Sequence, residues 1–278
     1  MVIGNWWLVV GGWWLTVDNY RGAGVESWEI LNCSPCLPYP FPNSSLLTPS
    51  YSIAIAMILC IGDILTPTEL EAVVAKLETA EFVDGKATAG WHARQVKHNT
   101  QLPQGSPALA IVRDIIDAAL QRHALFQMAV RPYIVRPVTI SRYDIGMSYG
   151  THIDNALMYD PFMRSDVSMT LFLSNPTTYE GGELIIESTQ GEVAFKLPAG
   201  SAIVYPSSTL HRVEAVTQGV RLAAVTWIQS LVRDPQQREI LFDLDTARQT
   251  LFEASGKTPV FDLISKSHAN LLRQWTEF

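Results

Sequence analysis

The apolar residues of the first seventeen positions (MVIGNWWLVVGGWWLTV) run together without a period, whereas from Met57 onward they fall at regular intervals. Residues 58–61 form a short apolar run that predicts a strand. Thr66-Pro67-Thr68-Glu69 then supplies a helix N-cap, a first-turn proline and the Glu of a capping box. Leu70, Val73, Val74 and Leu77 follow at i, i+3, i+4 and i+7, the stripe of an amphipathic helix lying on a core. Ser106-Pro107 signals a second helix, with Leu109, Val112, Ile116, Ala119 and Leu120 as its buried face.

Between 132 and 231 the texture changes to short β-rich runs, which predict strands over 133–142, 168–174, 183–187, 192–197, 202–205, 211–216 and 220–230. Gly181-Gly182, Gln190-Gly191, Ala199-Gly200 and Gln218-Gly219 punctuate them. Many short strands with turns at this spacing imply an antiparallel sandwich or jelly roll. Asp234-Pro235 then opens another helix, carrying Ile240, Leu241, Leu244 and Leu251. The chain divides accordingly into an N-terminal helical support (57–131), a β-core (132–231) and a C-terminal helical segment (232–278).

Residues 1–56 do not match this texture. Five of the eight tryptophans (Trp6, Trp7, Trp13, Trp14 and Trp28) fall there, Arg21 is the only basic residue before Met57, and 35–52 is rich in Pro and Ser. A secretory signal needs a positive n-region, and Gly11-Gly12 among four tryptophans makes a poor spanning helix. The segment is expected to lie outside the domain or to be disordered, with Met57 as the natural start. The other reading is a lipid-surface or partner-binding arm.

Composition narrows the function. Of 278 residues, 20 are Lys or Arg and 27 Asp or Glu, a net charge of −7. An acidic chain without a basic run is poorly suited to track a phosphate backbone, so no nucleic-acid partner is expected. No membrane partner is expected either. Cys33, Cys36 and Cys60 are too few for a disulfide framework, which implies a reducing, cytoplasmic compartment. Cys33-x-x-Cys36 lacks a second pair nearby and is read as chance.

The chemistry concentrates in His152-Ile153-Asp154. On an extended segment, residues two apart project to one side, so an imidazole and a carboxylate converge. His211, the one other histidine of the β-core, can complete a set of two His and one carboxylate, which leaves open positions on a non-haem iron. Ten residues on, Arg221 begins the otherwise apolar run VRLAAVTW (220–227). A guanidinium in a buried strand is costly unless an anion meets it, and its planar fork fits a carboxylate; a strand-end surface arginine is the plainer alternative. Trp227 lies six residues beyond Arg221 and so shares its face.

The stretches 141–158 (SRYDIGMSYGTHIDNALM), 164–186, 196–234 and the LFDLD of 241–245, with VKHNTQL at 96–102, together resemble the Fe(II)/2-oxoglutarate dioxygenases related to prolyl hydroxylases, and more narrowly the bacterial PKHD-type hydroxylases linked to iron uptake. The resemblance spans about 57–251. It implies an α+β fold, a double-stranded β-helix (jelly roll) with flanking N- and C-terminal helices. It also implies His152, Asp154 and His211 as catalytic Fe(2+) ligands, and Arg221 as the anchor of 2-oxoglutarate. Tyr143, in the run Arg142-Tyr143-x-x-Gly146-x-x-Tyr149, is placed to bond that co-substrate; a plain core aromatic is the alternative. Asn155 and Arg164 are further candidates for substrate contact.

The expected reaction inserts one oxygen atom of O2 into a C–H bond of a small-molecule or peptidyl substrate, releasing succinate and CO2. L-ascorbate (vitamin C) maintains the iron, and a role in iron homeostasis is implied by kinship. Two alternatives stay open: a non-catalytic metal-binding sensor or scaffold on the same jelly roll, and an oxygenase acting on a nucleobase or small metabolite. Substrate and oligomeric state are not encoded in these residues.

Overall fold

The computed structural model describes residues 57–188 and 191–278, together with the backbone of Trp6–Val10 and Trp13–Val17. Two antiparallel sheets form the jelly roll. The larger is built around Leu59–Ile61, Ala202–Pro206, Val167–Phe172, Arg221–Ser230 and Thr139–Tyr143, hydrogen-bonded in that order. The smaller runs Gly191–Phe195, Leu184–Ser188, His211–Val213, Ser148–His152, Lys97–His98. The backbone of Trp6–Val10 and Trp13–Val17 pairs as a hairpin, and Trp6–Val10 borders Leu59–Ile61. The Cys33–Cys36 pair and the Pro/Ser-rich stretch lie outside the described residues.

Among the described residues five α-helices flank the sheets: α1 (Pro67–Glu78), α2 (Pro107–Arg122), α3 (Ala124–Val130), α4 (Pro235–Ser255) and α5 (Pro259–Trp275). The expected capping box is present in α1, where Thr66 accepts from the Glu69 amide and Glu69 accepts from the Thr66 amide at 2.9 Å. The predicted stripe of α2 is the buried one: Leu109, Val112, Ile116, Ala119 and Leu120.

One strand explains how the layers meet. Every residue of Val167–Phe172 is buried because the sheet is covered on both faces. Val167, Met169 and Leu171 pack into the core shared with the helices. Ser168 and Thr170, on the opposite side, face a cavity between the sheets. A second core of Tyr143, Phe172, Leu184, Ile186, Phe195 and Val213 closes the space between the sheets beneath that cavity.

Two expectations are corrected. The strand predicted over 133–142 is two strands, Pro132–Val135 and Thr139–Tyr143, broken at Arg136-Pro137; proline has no N–H to give a ladder. The stripe predicted for α4 is shifted: Ile240 is exposed, and the buried residues are Arg238, Leu241, Phe242 and Asp245. Asp245 can be buried because Arg248 donates to it at 2.6 Å and Arg131 at 3.4 Å. The sequence pattern does not mark α3 and α5 as separate helices within the N- and C-terminal helical segments.

Candidate active site

His152 closes the strand Ser148–His152, His211 opens His211–Val213, and the two are direct cross-strand partners. Asp154 follows two residues after His152 and returns toward them. Ligand atoms of His152, Asp154 and His211 all lie within 4.8 Å of one another, with His211 Nε2 at 3.8 Å from Asp154 Oδ2. The spacing-based expectation of convergence is met in the geometry.

The two imidazoles are set alike. Nδ1 of His152 meets the Gly150 carbonyl at 2.9 Å, and Nδ1 of His211 meets the Thr209 carbonyl at 3.0 Å. A carbonyl only accepts, so each Nδ1 carries the proton and each Nε2 offers a lone pair toward the centre. Burial pushes the His152 pKa down to about 4; the neighbouring His211 adds to this and Asp154 opposes it. Tyr149 stacks on His152 at 3.7 Å between ring centroids, and Tyr205 meets the His211 ring at 5.1 Å. Asp154 Oδ2 accepts from Ser168 Oγ at 2.6 Å, and Ser168 in turn pairs with Ser207 at 2.8 Å.

Arg221 is buried at 1% exposure. It pairs in register with Tyr143, whose ring centroid lies 5.0 Å from the guanidinium, and Phe172 stands 5.5 Å away. Its Nε is buried with no hydrogen-bond partner. A buried cation with an unmet donor is the arrangement that a carboxylate relieves. Burial raises the Tyr143 pKa, and Arg221 works against that rise, so the phenol remains a donor at neutral pH. Gly182 makes room for this arginine: a Cβ there would stand 3.0 Å from Arg221 Cδ.

A cavity of about 1080 Å³ is lined by the triad, Arg221 and Tyr143 together. Trp227 and Asn155 also line it; Arg164 does not, being paired with Asp166 at 2.6 Å. Ser168, Thr170 and Tyr205 line it too, beyond the residues that the sequence motifs mark. Their signal was present as polar or phenolic residues at alternate positions of apolar strands. Lys97, Asn99 and Gln101, alternate residues of the VKHNTQL stretch, are buried in the same wall. Burial pushes the Lys97 amine down to about 8, against Asp154 and Asp84; its Nζ donates to Thr88 at 2.8 Å. Two imidazoles and a carboxylate with open approach suit a ferrous ion, and the buried guanidinium suits a dicarboxylate.

Among the described residues no helix is long and apolar enough to cross a membrane. The family model of the 2OG-Fe(II) oxygenase superfamily matches residues 138–229, and that of the PKHD-type hydroxylase C-terminal domain matches 235–277. A PKHD-type hydroxylase of Synechococcus sp. (strain JA-2-3B'a(2-13)) is 61% identical over 223 residues, covering 80% of this chain and 100% of the relative. One of Gloeothece citriformis (strain PCC 7424) is 59% identical over 221 residues with the same coverage. Among solved structures, a Pseudomonas putida prolyl-4-hydroxylase is similar at a TM-score of 0.44 and 19% identity, over 62% of this chain and 92% of that one. With relatives matched along their whole length, and with the jelly roll and the closing helices each answering to a family model, the chain belongs to the PKHD-type hydroxylases, 2-oxoglutarate-dependent dioxygenases of the 2OG-Fe(II) oxygenase superfamily.

Proposed function

We propose that His152, Asp154 and His211 hold the Fe(II) of this hydroxylase, and that Arg221, flanked by Tyr143, takes the distal carboxylate of 2-oxoglutarate. The observation that carries this assignment is the meeting of three ligand atoms within 4.8 Å on the wall of a cavity that also contains a buried guanidinium whose Nε has no hydrogen-bond partner. Together, iron, 2-oxoglutarate and O2 supply the oxidation of an unactivated C–H bond, with release of succinate and CO2.

The chain's own residues prepare that chemistry. The Gly150 and Thr209 carbonyls fix the tautomer of each histidine, so the lone pairs point inward without rearrangement. Ser168 orients Asp154. Tyr149 and Tyr205 flank the two imidazoles and keep bulk water from that side. Arg221 and Tyr143 hold the co-substrate at its far end, away from the reacting atoms.

The substrate is a small molecule or a peptidyl side chain. Neither a nucleic-acid nor a membrane partner is proposed, consistent with the acidic balance of 27 Asp and Glu against 20 Lys and Arg. Ascorbate as reductant, a cytoplasmic location and a place in iron homeostasis belong to the same proposal and rest on kinship and cysteine usage. The catalytic unit is assigned to 57–278, in keeping with relatives whose full length corresponds to 80% of this chain.

Anaerobic addition of Fe(II) and then 2-oxoglutarate tests the assignment. A visible metal-to-ligand charge-transfer band is expected, and it should vanish in Asp154→Ala. Absence of the band with tightly retained zinc would favour a metal-binding scaffold instead.

A further inference from the structure

The cavity continues beyond the triad. Past Trp227 its wall includes Arg136, Arg113 and Gln104. Trp227 pairs in register with Ser168, the residue that donates to Asp154, so this wall is one strand away from the triad's carboxylate. The guanidinium of Arg136 lies over the Trp227 ring, 5.6 Å from its centroid. Its backbone is fixed at both ends: the amide donates to the Trp227 carbonyl at 3.0 Å, and the carbonyl accepts from the Thr226 hydroxyl.

What Arg136 lacks is an acid. Among the described residues its guanidinium makes no ion pair or hydrogen bond, and its Nε is buried without a partner. Arg113 is bonded only to neutral acceptors, its Nε donating to the Val138 carbonyl at 2.9 Å and its Nη2 to Gln104 at 3.0 Å. Burial first, and then the charge of Arg136, lowers the Arg113 pKa; Asp117 is the acid that opposes them. Two guanidiniums facing one cavity in a chain of net charge −7 are an unbalanced feature. The co-substrate does not account for them, because Arg221 lies six residues from Trp227, about 20 Å along an extended strand.

We propose that Arg136, supported by Arg113, forms the anion subsite for the substrate and takes a carboxylate of the molecule to be hydroxylated. The substrate then lies along Trp227, with its carboxylate on the arginines and its target C–H turned toward the triad. The inference rests on the assignment of the triad and Arg221, and it narrows the substrate class to carboxylates. Free amino-acid derivatives and peptides with a free C-terminus share that chemistry.

The full-length protein loaded with Mn(II) and saturating 2-oxoglutarate provides the test. The probes are the N-acetyl derivatives of the standard amino acids, each beside its neutral carboxamide, and short peptides with free or amidated C-termini. Paramagnetic relaxation of the probe protons reads both binding and proximity to the metal. Carboxylate forms are expected to bind roughly ten-fold or more tightly than their carboxamides. Acetyl amino acids alone or peptides as well would then show which source fits. Arg136→Gln should erase the discrimination while leaving 2-oxoglutarate affinity within about two-fold, and Arg113→Gln should weaken it in part.

No relaxation of any probe, equal binding of acid and amide, or discrimination that survives in Arg136→Gln would each overturn the subsite. Failure of the wild-type protein to take up 2-oxoglutarate would instead overturn the underlying assignment, so the two failures are distinguishable.

Discussion

Ser168 donates to Oδ2 of Asp154 at 2.6 Å, and that same oxygen is the one 3.8 Å from His211 Nε2. The hydroxyl therefore sets which way the carboxylate presents itself. Supporting hydrogen bonds of this kind typically contribute roughly 10–100-fold to metal affinity. Ser168→Ala is expected to weaken Fe(II) binding by about that factor with an unchanged circular-dichroism spectrum. Anaerobic titration against a chelator checks it, and an unaltered affinity would show the hydroxyl idle.

Asp154→Ala removes the proposed iron ligand from the cavity wall, outside the packed apolar core. Iron binding and turnover should both be lost while the thermal midpoint of the metal-free protein stays close to wild type. A variant that unfolds would mark the residue as structural.

Arg221→Ala should raise the 2-oxoglutarate KM by roughly 100-fold or more, the scale of losing a charge-assisted bidentate contact. Iron affinity should change far less. Gly182→Ala approaches the same residue from behind. The added methyl would meet Arg221 Cδ and Val216 Cγ2 at 3.0 Å, at a backbone φ of +68° that costs a side chain about 1–2 kcal/mol. Reduced stability together with a raised 2-oxoglutarate KM is expected; a KM equal to wild type would mean that the arginine does not depend on this gap.

How far these features are legible in the sequence depends on whether a residue carries its signal alone. His152, Asp154 and His211 are legible because their side chains have few roles in an apolar strand context, and Arg221 stands out as a charge opening a hydrophobic run. The break at Arg136-Pro137 is marked in the sequence by the proline alone, and the β-rich runs on either side of it read as one strand; Arg136, at the break, lines the cavity. On α4 the leucines suggested one face, whereas burial follows an ion network whose partners, Arg131 and His268, lie over twenty residues away in sequence. Periodicity reports local amphipathicity and carries no information about such distant pairings.

That network has a pH signature. Arg131 can only donate, so the Nε2 of His268 that meets it at 3.0 Å must accept, which requires the unprotonated ring nitrogen. Burial, Arg131 and Arg248 accordingly lower the His268 pKa below 6.5, with Asp245 opposing. The unfolded chain then binds more protons than the folded one, so this contribution is complete above pH 6.5 and lost as pH falls through it. Thermal unfolding from pH 8 to pH 5 should show a shallower decline in His268→Gln than in wild type. Identical slopes would remove His268 from the account.

Burial raises the Cys60 thiol to about 12, leaving almost no thiolate at neutral pH. In the native protein at pH 8, iodoacetamide followed by peptide mass analysis should find Cys60 unmodified, and denaturation should expose it. Alkylation of the folded protein at that site would show that the strand Leu59–Ile61 parts readily from its neighbours in the larger sheet.

The cross-strand pairing of His152 with His211 has one more outcome. An ion gripped by this trio ties adjacent strands of the smaller sheet to the segment that follows, and the unfolded chain offers no such grip. By mass action, a metal present at 100 times its dissociation constant adds about 2.7 kcal/mol to folding stability. Iron scarcity would thus shorten the lifetime of the polypeptide as well as slow its turnover.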